Sequence, residues 1–183
     1  MESYEVTAPR LLEWWDKTRA ARPMPTRAEL DPSELKAILP HLLLVDVIEA
    51  PGEAGGGGAR SYRYRLSGTE VDSRFGLKLT GLTLEELPIG PEARDAIRQQ
   101  YETAIAERRP IFCRHNMAVN DERYVEYDRV VMPLADATGE NMVSLVAAVD
   151  FHCAFLFEGG RPLTCTRQPH CDRIDLCLQK PHV

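Results

Sequence analysis

The 183-residue chain contains no apolar stretch approaching the roughly 20 residues that cross a bilayer, so no membrane-spanning helix is expected. Its first residues, Met1-Glu2-Ser3-Tyr4-Glu5, lack the basic and apolar regions of a signal peptide, and a cytoplasmic location is the expectation. Positive charge is not in excess: 22 Lys and Arg stand against 28 Asp and Glu, for a net charge of -6. That balance argues against a phosphate-backbone footprint and against nucleic acid as a partner. Cysteine is sparse and odd in number, at five, which in a reducing compartment implies free thiols. No Gly-x-Ser-x-Gly, His-Glu-x-x-His or Walker-type sequence occurs, and no reaction is expected.

What remains is ordinary globular composition, with 44% hydrophobic and 27% charged residues, enough for one substantial core. Three segments are expected: an N-terminal helical extension over 1–40, a domain over 41–157 and a Cys-containing tail over 158–183. Pro9 suits the first position of a helix running to Arg19. Its Leu11, Leu12, Trp14 and Trp15 make an apolar face too broad for one stripe. Either one Trp packs on its own domain and the other elsewhere, or both cover a core edge. The first reading makes these four residues the interface of a homodimer, because a surplus apolar face is costly in water. Asp31-Pro32-Ser33-Glu34 reads as a capping box that opens a short helix with Leu35, Ile38 and Leu39.

Strands are expected over His41–Glu49, Ser61–Ser67, Ile111–Val119, Glu122–Leu134 and Met142–Phe151. The four glycines Gly55 to Gly58 lack a following Lys-Ser/Thr and read as a flexible hairpin loop. A short helical turn runs from Gly68-Thr69 to Phe75, with Gly76 at a left-handed cap. Thr83 to Glu86 resembles a second capping box. The longest helix lies between Pro91 and Pro110, with Ala93, Ile97, Tyr101, Ala104 and Ile105 on one face. Asp136 to Asn141 turns the last two strands into an antiparallel hairpin. Strands and helices segregate, which indicates an α+β fold. The tail from Arg161 carries a charge of +2 without sustained periodicity, and it is expected to be poorly ordered.

The run Arg65-Leu66-Ser67-Gly68-Thr69-Glu70-Val71, continuing through Phe75-Gly76 and Leu79-Thr80-Gly81, is similar to a signature of the small stand-alone bacterial PAS proteins, once grouped as a domain of unknown function. Arg22-Pro23-Met24-Pro25, Asp31-Pro32, Leu39-Pro40-His41-Leu42 and Met132-Pro133-Leu134 match further positions in the same order. The resemblance spans about Leu11 to Phe151. It implies a PAS fold, a five-stranded antiparallel sheet with helices on one face, and a sensory or interaction module that regulates a partner in bacterial signalling.

PAS folds place sensory ligands between the long helix and the sheet, and strand alternation together with the apolar face of the long helix names the residues that face that space here. They are Tyr64, Ile97, Tyr101, Cys113, His115, Tyr127 and Arg129, with Tyr62 beside them. An inward Arg129 suits an acidic ligand through bidentate bonds; the alternative is a salt bridge to Glu126 or Asp128. The same likeness argues against two cofactors. PAS heme sensors usually take their iron ligand from the long helix, which here has no His. The reactive Cys of photosensory flavin proteins sits in an Asn-Cys-Arg-Phe setting, which Phe112-Cys113-Arg114 lacks, so only a non-covalent flavin stays open. No cofactor is singled out. In the tail, Cys165, His170, Cys171 and Cys177 form an alternative metal site, although a spacing of six differs from the usual zinc pattern.

Overall fold

The computed structural model describes residues 7–49, 60–119, 123–139, 141–158 and 161–165. The N-terminal helix α1 spans Thr7–Arg19. Strands β1 (Leu42–Glu49) and β2 (Arg60–Ser67) follow, then helix α2 (Thr69–Phe75) and the long helix α3 (Pro91–Glu107). Three long strands come next: β3 (Ile111–Val119), β4 (Arg123–Ala135) and β5 (Met142–Glu158). A short β6 (Arg161–Cys165) pairs back on β5. Neighbouring strands are antiparallel in the order β2-β1-β5-β4-β3, the expected five-stranded sheet, with β6 added at the far end of β5. The apolar run Cys153–Phe157 thus carries β5 past the expected end at Phe151, and the first tail residues form a strand. The glycine loop over 50–59 lies outside the described residues.

The sheet is covered on both faces. On the front, α2, α3 and the segment between them close over Leu43, Val45, Tyr62, Tyr64, Tyr127, Val131 and Val149. On the back, α1 and the segment from Met24 to Ile38 cover Leu42, Leu44, Val130, Met132, Leu134 and Val146. The period of two explains this division, since adjacent strand residues point to opposite faces. The N-terminal helix therefore occupies the face opposite α2 and α3. Both tryptophans pack on the chain's own sheet: Leu11, Trp14 and Trp15 are buried and Leu12 is half-buried. Trp15 also donates its Nε1–H to the carbonyl of Pro133 at 2.9 Å. The surplus face that suggested a dimer interface is used within the chain.

The segment after Asp31 is a series of tight turns rather than an α-helix. Glu34 N donates to Asp31 O, Leu35 N to Pro32 O and Ile38 N to Leu35 O, all three-residue closures. Leu35 and Ile38 are three apart, so this tighter winding aligns both with the back core. The Asp31 side chain accepts from Ser33 N at 2.8 Å, a local bond that competes with helix. The box at Thr83 is present, with Glu86 accepting from the Thr83 backbone N–H at 2.7 Å.

Two glycines are needed where they stand. Gly76 ends α2 at φ 71°, where a side chain is strained, and its N–H bonds Asp72 O at 2.8 Å. Gly68 has an ordinary φ of -68° but lies against the chain entering β1. A Cβ there would come within 2.2 Å of the Pro40 carbonyl oxygen. This close approach lets Gly68 N donate to Leu42 O and fixes the start of α2 against β1. Gly68→Ala is expected to cost about 1–3 kcal/mol through overpacking, read as a lower urea midpoint at unchanged slope. An unchanged midpoint would show that the Pro40 segment yields freely.

Candidate functional site

Between α3 and the front of the sheet lies a buried polar knot centred on Arg129 of β4. Arg129 is 2% exposed, and it faces α3 because alternation sends its neighbour Asp128 to the other side. There Asp128 is engaged by Arg114 in two bonds of 2.7 and 2.9 Å. No carboxylate among the described residues pairs with Arg129. Its acceptor is an amide instead. Gln100 of α3, also 2% exposed, offers Oε1 to Arg129 Nε at 2.8 Å and to Nη2 at 2.6 Å. The Gln100 amide nitrogen donates to the carbonyls of Ile111 at 2.9 Å and Arg129 at 3.1 Å, which fixes the orientation of the amide.

His115 of β3 completes the group, with Nε2 3.0 Å from Gln100 Oε1. Because that oxygen accepts, Nε2 carries the hydrogen, and the 3.3 Å approach of Arg129 Nη2 to the same nitrogen is a contact without a shared proton. Burial first, and the charge of Arg129 second, bring the His115 pKa down from 6.5 to about 3. The imidazole is neutral at pH 7. The remaining Arg129 partner is the Tyr101 hydroxyl, 3.4 Å from Nη1, and the guanidinium also sits 5.0 Å from the Tyr101 ring centre. Tyr101 and Tyr64 share a hydroxyl contact of 3.2 Å.

Beside this knot is a largely enclosed cavity of about 10 Å³, lined by Tyr64, Ile97, Tyr127 and Arg129 together with Leu43, Phe75, Leu79, Leu87 and Val149. Its floor is aromatic, with Tyr127 packed at 5.6 Å from Phe75, 5.5 Å from Phe151 and 5.2 Å from the His115 ring. The Tyr127 hydroxyl is buried without a hydrogen-bond partner among the described residues. Burial pushes its pKa up to about 12 and raises that of Tyr64 well above the ordinary phenol value, so both hydroxyls keep their protons.

Of the expected pocket residues, Tyr64, Ile97, Tyr127 and Arg129 line the cavity, while Tyr101 and His115 form the knot beside it. Cys113 shares the inward face of β3 and pairs opposite Arg129, but it is half-buried, does not line the cavity and borders an outer groove with Phe112, Arg114 and Asp128. Tyr62 is buried and bonded to Glu102 of α3, which also pairs with Arg60 at 2.7 Å. Gln100 escaped the sequence reading, although it lies three residues after Ile97 and four before Ala104, on the buried stripe. Of the alternative metal ligands, Cys165 falls in β6 with its side chain undescribed, and His170, Cys171 and Cys177 lie outside the described residues. Among the described residues no group of three or more His, Cys, Asp or Glu could hold a metal ion. No described helix is long and apolar enough to cross a membrane.

Two measurements test the knot. Gln100→Leu strands a buried charge and is expected to cost about 3 kcal/mol, whereas Arg129→Met removes the charge and costs far less. In the double variant Arg129→Met recovers part of the Gln100→Leu loss; strict additivity would show that the two side chains are not coupled. The second concerns pH. Between pH 6.5 and about 3 the unfolded chain binds a proton at His115 that the folded chain refuses. Stability present above that window is lost as pH falls through it. The wild type should lose up to about 1.4 kcal/mol per pH unit more than His115→Gln over this range. Parallel stability curves for the two proteins would contradict the assignment.

A family model described as a PAS domain matches residues 4–147. Among solved structures, the PAS domain of BvgS from Bordetella pertussis is similar at 15% identity, covering 65% of this chain and 86% of that one, with a TM-score of 0.42. No curated protein matches the sequence. With the family model spanning α1 to the middle of β5 and the sheet order and helix placement in accord, the chain belongs to the PAS domain family.

Proposed function

We propose that this PAS domain is a signal-input module in which a small molecule bound between α3 and the sheet controls how the protein engages a signalling partner. The family supports a sensory or interaction role in general. The observation that supports a ligand is the buried Arg129, charged and without a carboxylate among the described residues, at the edge of a largely enclosed cavity. A fold stabilised only by packing gains little from such a group, because burying an unpaired charge is costly. Functional sites are where such costs are tolerated.

The coupling follows from how α3 is held. Gln100 ties the helix to β3 and β4, and Glu102 ties it to Arg60 and Tyr62 of β2. A ligand held by the remaining Arg129 donors binds the side chain that Gln100 grips and so firms the seating of α3 on the sheet. The reading includes no catalysis. His115 is engaged with Gln100, and with its pKa near 3 it is a poor base at neutral pH. It includes no dimer through α1 either, because Leu11, Trp14 and Trp15 are buried in the chain.

The test combines native mass spectrometry with amide hydrogen exchange during a screen of small metabolites. A stoichiometric non-covalent adduct, or a compound that slows exchange across Pro91–Glu107 in the wild type but not in Arg129→Met, is expected. If no adduct appears and no compound protects α3 more in the wild type than in the variant, the ligand-controlled reading fails.

A further inference from the structure

The cavity beside Arg129 is small and apolar over most of its wall, with Tyr64, Tyr127 and Arg129 as its polar lining residues. Three of the five guanidinium hydrogens find an acceptor, two on Gln100 and one on Tyr101. Two others remain, one on each terminal nitrogen; the one on Nη2 lies 3.3 Å from His115 Nε2, which carries its own hydrogen toward Gln100, and neither finds an acceptor among the described residues. Tyr127 adds a hydroxyl that keeps its proton and has no partner, and both residues line the same cavity. Each unfilled polar group of these two residues can donate a hydrogen bond. A water would answer the hydrogen bonds but leave the positive charge unbalanced. An anion answers both, and the low-dielectric wall of Leu79, Leu87, Ile97 and Val149 strengthens the attraction.

We propose that this chamber is a receptor site for a compact monoanion, held by the two unfilled N–H groups of Arg129 and the free hydroxyl of Tyr127. The proposal rests on the ligand-controlled reading above and names the ligand's chemical class. The size follows from the cavity, whose volume of about 10 Å³ admits one water-sized particle. The single charge follows from the lining, where Arg129 is the only cation among the residues that form the wall. A halide matches this volume. A carboxylate as small as formate is larger, so wall side chains such as Phe75 and Leu79 would have to yield to admit it.

The test is an anion titration of the full chain in halide-free buffer, with sodium sulfate at matched ionic strength as the control. Thermal midpoints are followed for bromide and for formate in wild type, Tyr127→Phe and Arg129→Met. A saturable rise above the sulfate control is expected in the wild type. Apparent affinity should fall about tenfold or more in Tyr127→Phe, which keeps the ring and packing, and the response should vanish in Arg129→Met. A response to bromide alone assigns a halide, and a response to formate alone assigns a small carboxylate. A bromide anomalous peak beside Arg129 and Tyr127 in crystals would locate the site. The proposal is overturned if neither anion exceeds sulfate, or if both variants respond like wild type, which would mark surface binding. If the anions fail while another compound protects α3 in an Arg129-dependent way, the sensory reading stands and the anion assignment falls.

Discussion

The front layer of this domain depends on one neutral oxygen. Gln100 Oε1 accepts from both sides of the Arg129 fork and from His115, while the same amide's nitrogen reaches two strand carbonyls. One side chain therefore ties α3 to β3 and β4 and is the main acceptor for a buried charge. An amide is an unusual answer to a guanidinium, because a carboxylate would neutralise it outright. With Glu or Asp at that place the knot would be electrically closed. With Gln it is bonded but still positive.

The two faces of the sheet have different tasks. The back is an aliphatic and tryptophan core, anchored by α1 through Leu11, Trp14 and Trp15. The front mixes tyrosines, Arg129 and His115 into its apolar packing and leaves a small void. A buried polar network costs more to disturb than a methyl-lined core does, and it has fewer arrangements that satisfy every member. Change on the front is thus more discrete than change on the back. β4 and β5 belong to both faces, so the stable back fixes the frame against which α3 is seated.

Much of this was legible in the chain because one face of each strand is buried. The alternation of Tyr62 with Tyr64, and of Cys113, His115 and Met117, follows directly from the pleat. The α2 cap at Gly76 follows from the conformational freedom of glycine. Three features were not legible, each for a physical reason. Gln100 looks like a solvent residue by type, and only its place on the Ile97–Ala104 stripe marks it as buried. The side of the sheet that α1 covers is a tertiary choice which two adjacent tryptophans leave open. The size of the chamber depends on how Phe75, Leu79 and Leu87 interdigitate, and no pattern of periods encodes a volume.

The bond from Trp15 to Pro133 has a consequence for solubility. Strand β3 ends its pairing at Val131, so β4 continues to Ala135 with one margin uncovered by that neighbour. An open margin of this kind recruits strands from other molecules. Here Pro133 has no N–H to offer, its carbonyl is taken by the Trp15 indole, and Ala135 N–H is taken by Pro25 O at 2.8 Å. The N-terminal segment is therefore a guard rail along the sheet as well as a lid on its back. It occupies the sites at which a stray strand would begin to add.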